Sequence, residues 1–149
     1  MSRDQIDPRG PRFGAAITSV LLLVVIVLDL AGAGLAALLL LAALVALFAW
    51  GAFAGIRRHP WGLIFKTFVR PRLAPPSELE DPRPPTFAQG VGFAVTAAGL
   101  LLALLGVDGA VWISAAIAFF AAFLNAAFDV CLGCRLYALL VRARIVRTS

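Results

Sequence analysis

The sequence predicts an all-α integral membrane protein. Four transmembrane helices form two pseudo-repeated helical hairpins, with an amphipathic helix on the cytoplasmic interface between spans 2 and 3. Three observations predict this. Two apolar blocks, roughly 13–56 and 87–134, contain no lysine or arginine, and each is long enough for two spans of about 20 residues. The bases fall in three clusters: before residue 13, between 57 and 83, and from 135 onward. Each block also has a weak point in its middle with one carboxylate and no base: Asp29 in DLAGAG and Asp108 in GVDGA. Folding each block as a hairpin brings every base to one face. The positive-inside rule then puts both termini and the central segment in the cytoplasm, as a multi-pass protein of the plasma membrane.

Composition agrees. The 149 residues are 62% apolar, more than a soluble domain of this size carries. They form a single membrane domain. The net charge of +5 sits next to the spans, where it sets topology and attracts anionic lipid. It is not a nucleic-acid signal. The charged start MSRDQIDPRGPR leads into an apolar run too long for a cleaved signal peptide, so the first span is expected to be retained.

Span 1 covers about 13–30, helped at its start by Pro11. Gly32 and Gly34 make the outer turn. Span 2 covers about 35–56 and ends at Arg57-Arg58-His59-Pro60. A cytoplasmic linker, 57–86, follows. Within it Trp61, Ile64, Phe65 and Phe68 recur at helical spacing, which predicts a short helix from Pro60 to Pro71 with its apolar side in the lipid boundary. The stretch APPSELEDPRPP, 74–85, is too proline-rich for a helix and is expected to be extended. Span 3 covers about 87–105. Span 4 covers about 112–134, with Trp112 as an outer-interface anchor, and continues as helix past Cys134 into a basic tail ending near Arg147.

Residues 7–13, DPRGPRF, are echoed at 81–87, DPRPPTF. Each stands before an odd-numbered span, which suggests a parallel repeat about an axis along the membrane normal. One reading makes each a helix-start device; the other makes Arg9 and Arg83 flank one anion site.

The chemistry candidates lie at the end of span 4. Cys131-Leu132-Gly133-Cys134 puts two thiols on one helical face. Such a pair supports thiol–disulfide exchange or sulfur relay, one thiolate attacking and the second resolving. Arg135 favours thiolate, whereas the negative end of a helix closing at the cysteines disfavours it, unless Gly133 breaks the helix there. A cytoplasmic pair rests as a dithiol. Cys134, nearer water, makes first contact, and Cys131 resolves. Two further readings stay open: half of a metal site completed by a second subunit, or two small residues in a helix interface. Asp129, one turn from Asn125, is either a proton acceptor for a thiol or a helix anchor paired with a nearby arginine. His59 is expected to be a solvated interface residue. Arg70 and Arg72 form a compact cationic pair that, with Arg9, Arg83 and Arg135, suits an anion, a lipid headgroup or a docking partner. No catalytic metal, phosphate loop or cofactor is indicated.

DPRGPRF, RPRL at 70–73, EDPRPPTFAQG at 80–90 and NAAFDVCLGC at 125–134 resemble the actinobacterial membrane proteins grouped as domain of unknown function 4395. The resemblance runs from about residue 6 to residue 141. It implies four spans and, through an association with thioredoxin-like proteins and sulfurtransferases, thiol or sulfur chemistry at Cys131 and Cys134. It also implies glycine as the common residue where this chain has Asp129, and an acidic residue where it has Arg135. The resulting expectation is a membrane dithiol protein that exchanges electrons or sulfane sulfur with a thioredoxin-like or sulfurtransferase partner. The alternatives are a non-catalytic scaffold and an oligomeric carrier or pore for a small sulfur anion.

Overall fold

The computed structural model describes residues 5–144. Its helices, in chain order, are α1 (Arg9–Leu30), α2 (Gly34–Ala54), α3 (Pro60–Ile64), α4 (Arg83–Leu104), α5 (Ala110–Phe128) and α6 (Leu132–Arg142). Helices α1, α2, α4 and α5 are long and apolar enough to cross a membrane. All described bases lie at one end of the bundle, at the start of α1 and α4 or after α2 and α5. Arg3 and Arg147 lie outside the described residues.

Both odd-numbered spans start earlier than expected, at Arg9 and Arg83. The reason is the aspartate two residues before each. Asp7 accepts the N–H of Arg9 at 3.0 Å and holds its guanidinium. Asp81 does the same for Arg83, with the N–H at 2.9 Å. A carboxylate at a helix start satisfies an orphan N–H and complements the helix dipole. Prolines 84 and 85 therefore belong to the first turn of α4, where proline loses no helical bond, and not to an extended connector. The residues before these aspartates bond to each other: Ile6 and Glu80 exchange both backbone hydrogen bonds at 2.8 Å.

The outer turns fall where Asp29 and Asp108 mark them. Gly32 and Gly106 take left-handed φ values of 91° and 88°. Behind them Ala33 N–H reaches Leu28 C=O, and Val107 N–H reaches Leu102 C=O, at 2.8 and 2.9 Å. This closure uses up carbonyls that the helix ends leave unpaired.

α1 packs chiefly against α5, and α2 against α4, besides the contacts within each hairpin. The core between them is Leu22 and Val25 of α1, Ala37, Leu41 and Leu44 of α2, and Ala115 and Ala118 of α5. These recur at three- and four-residue spacing, one stripe per helix. At Gly99 a Cβ would come 2.0 Å from Ser114 Oγ, so α4 and α5 approach as small-residue helices do in lipid. The outward faces are apolar: Leu35, Phe53 and Leu105 are each over 70% exposed. Such a surface matches hydrocarbon as its solvent.

The linker helix differs from expectation. α3 continues through a widened turn, Phe65–Val69, and a tight one, Arg70–Arg72. Its apolar residues split. Phe65 is buried on Phe13 and Gly10 of α1, and Trp61 lies over Gly14. Leu63, Ile64 and Phe68 point outward.

His59 is buried, not solvated, at 3% exposure. Its Nδ1 accepts the Trp61 N–H at 3.1 Å, so its Nε2–H donates to Leu47 C=O at 3.1 Å. The ring thereby caps α3 and ties it to α2. Burial pushes its pKa below the ordinary 6.5. A lowered histidine pKa means the unfolded chain binds the extra proton. His59 thus contributes stability that is fully present above about pH 6.5 and is lost as pH falls through its folded value. We expect the thermal midpoint in detergent to drop on acidification through this window. His59→Ala should cost about 1–3 kcal/mol at neutral pH, through two unpaired partners, and should flatten that pH dependence.

Candidate functional site

The site is made by a break in the chain at the basic end of α5. Asp129 takes a left-handed φ of 57°, a conformation that suits glycine and is tolerated by aspartate. The N–H groups of Asp129 and Val130 close the helix on Asn125 and Leu124 carbonyls. Two residues later a new helix, α6, begins. The expectation of one helix through Cys134 is therefore corrected: the last span ends at Phe128, and the cysteines open a separate helix.

This reverses the electrostatics. The cysteines lie at the positive end of α6 instead of the negative end of span 4. Cys131 is its N-cap, and the Cys134 N–H donates to Cys131 Sγ at 3.1 Å. A sulfur so placed is favoured as thiolate when reduced. The two sulfurs are joined as a disulfide, with Cα atoms 5.2 Å apart, within the span such a bridge requires.

Close packing holds α6 in place. A Cβ on Gly133 would meet Ala88 Cα and Cβ at 2.5 Å, so only glycine lets α6 lie this close to the first turns of α4. Tyr137, buried one turn further on, packs on Phe87 at a ring separation of 5.6 Å.

Asp129 has an exposed side chain. Its carboxylate pairs with Arg12 Nε at 3.8 Å, while Arg12 Nη2 donates to Ala126 C=O at 3.0 Å. Arg12 thereby ties the start of α1 to the end of α5. The matching position in the second DPR motif, Thr86, accepts the Ile56 N–H at 3.1 Å and ties α4 to the end of α2. Neither role is marked locally in the sequence; the clue is only that each stands fifth after its aspartate.

The other cations separate into different places. Arg9 is held by Asp7 and by Ala74 C=O at 3.0 Å, and Arg70 Nε lies 3.8 Å from the same buried Asp7. The Arg9 hydrogen bonds hold the Asp7 carboxyl below its usual range. Arg83 is held by Asp81 and instead lines an open groove between α2 and α4, together with Arg57, Arg58, Lys66 and Tyr137. Arg72 and Arg135 are exposed. Glu80 lies among carboxylates; burial and then the charge of Asp129 raise its pKa. Among the described residues no group of three or more His, Cys, Asp or Glu side chains could hold a metal.

One cavity touches the disulfide. It holds about 290 Å³ between α1, α4, α5 and α6, with Cys131, Asn125, Gln89 and Thr18 among otherwise apolar walls. Cys134 is not among them.

Gly133→Ala should push α6 off α4. We expect a loss of about 1–3 kcal/mol from overpacking, read as a lower thermal midpoint, and faster reduction of the disulfide by dithiothreitol.

No curated protein and no solved structure matches this chain. Its residues 6–142 match the family described as Domain of unknown function 4395, and with most of its length inside that match the chain belongs to this family.

Proposed function

We propose that the protein is a membrane thiol–disulfide exchange protein whose active pair is Cys131 and Cys134. The observation that carries this is the disulfide at the positive end of α6, with the Cys134 N–H on Cys131 Sγ. Attack on Cys134 by a cytoplasmic thiolate would release Cys131 as the leaving thiolate, and the helix end lowers the cost of that charge. The partner is a thioredoxin-like dithiol protein, or a sulfurtransferase delivering sulfane sulfur. Arg135, exposed in the first turn of α6, and the Arg70–Arg72 turn are the cations available for docking.

The reading includes a topology. Both termini and the 57–86 linker face the cytoplasm of the plasma membrane, because the bases gather at one end. It also includes a parallel repeat of span, span and surface helix. Three likenesses support the repeat: the clamped Asp-Pro-Arg starts, the glycine turns at 32 and 106, and the mutual bonding of Ile6 and Glu80. In this repeat α3 and α6 are equivalents. Each lies on the start of an odd-numbered span through one buried aromatic, Phe65 on Phe13 and Tyr137 on Phe87. Each is capped by a side chain, His59 in one and Cys131 in the other. The first half uses the cap for structure; the second uses it for chemistry.

A membrane-impermeant, mass-shifting thiol reagent should label the reduced cysteines in inverted vesicles and not in right-side-out ones. Cys131→Ser and Cys134→Ser should each abolish exchange with a reduced thioredoxin-type protein while leaving insertion and the thermal midpoint near wild type. Normal exchange in the double-serine chain would sink the proposal.

A further inference from the structure

An exchange pair in a membrane needs a second partner to take or return its electrons, and the cavity beside Cys131 identifies the class. Three properties narrow it. The cavity lining carries no charged side chain, so it does not suit a sulfur oxyanion or a free nucleotide. Its lining includes Ile117 and Phe120 of α5, 55% and 60% exposed on the apolar outward surface, so a lipid-soluble ligand has a route to it from the bilayer. Its volume of about 290 Å³ lies at the small end of ligand pockets, roughly 300–1,000 Å³, and admits one ring system but not a peptide. Asn125, Gln89 and Thr18 supply polar groups on the walls, enough to orient ring carbonyls in an otherwise apolar site.

We propose, resting on the exchange reading above, that this cavity binds the head group of a membrane quinone, which oxidises the reduced pair. The step balances. The cytoplasmic dithiol reduces the Cys131–Cys134 disulfide and leaves as its own disulfide. Cys131 and Cys134 thiols then give two electrons and two protons to the quinone. The S–S bond re-forms and a quinol departs into the bilayer. The two cysteines divide the work by position: Cys131 is on the cavity wall, while Cys134, off it, meets the soluble partner.

The full chain, reconstituted in proteoliposomes and reduced with dithiothreitol that is then removed, is mixed with decylubiquinone. This ring is fully substituted, so thiols cannot add to it as arylating targets. Disulfide re-formation is followed by thiol labelling and quinol by absorbance. The expected result is one quinol per disulfide. Ala121→Phe, which fills the cavity, should slow this by about tenfold or more and leave exchange with the thioredoxin-type protein unchanged. A photoactivatable azido-quinone on the unmodified chain should cross-link to peptides of α5 or α6. Absence of quinone-dependent oxidation, a wild-type rate in Ala121→Phe, or cross-links only elsewhere would overturn the quinone site. If exchange with the thioredoxin-type protein persists in that case, the exchange reading survives; if it too is absent, that reading fails on its own.

Discussion

A backbone that crosses hydrocarbon has no water to bond to, so its polar groups must be satisfied by the chain itself. Inside the spans the helices do this locally. The problem is confined to the helix ends, and there the structure spends its special residues. At the outer end two left-handed glycines close the helices with backbone bonds alone. At the basic end closure uses side chains and partners from other elements: Asp7 and Asp81 at the starts of α1 and α4, Arg12 on the end of α5, Thr86 beside the end of α2, and the Ile6–Glu80 bond pair between the two starts.

The candidate site is a by-product of that closure. Where α2 ends, the chain turns at Gly55 and lays α3 over the start of α1. Where α5 ends, it turns at Asp129 and lays α6 over the start of α4. Each surface helix needs a cap for its first N–H groups. In α6 the capping atom is a sulfur, and the interaction that stabilises the helix start is the one that would stabilise a thiolate. Structural need and the proposed chemical use coincide in one hydrogen bond.

Polar and apolar surroundings are divided across the disulfide in a corresponding way. On one side lie the basic end and exposed Arg135; on the other lies a cavity whose lining carries no charged side chain. The helix that carries both cysteines is held by glycine-close packing on Ala88 and by Tyr137 on Phe87. Small displacements of α6 would alter access to both sides at once, because the same contacts position both sulfurs.

Hydropathy and charge by themselves determined the four spans, the two outer turns at Asp29 and Asp108, and the gathering of the bases at one end. Transfer into lipid is a sum over residues, so a linear count reads it correctly. The helix-start role of the two Asp-Pro-Arg motifs was also legible, because it acts within two residues. What only the tertiary structure decided lies at the helix ends. Gly133 is the residue that marks a possible break in the sequence, yet the chain breaks earlier, at Asp129, an aspartate in the left-handed region that pairs with Arg12, while Gly133 serves close packing on Ala88. His59 looked solvated beside two arginines, yet its acceptor, Leu47, lies on the preceding helix turned back toward it. These positions depend on which distant segments meet, and that information is carried by shape and close approach, not by the local composition that a sequence displays.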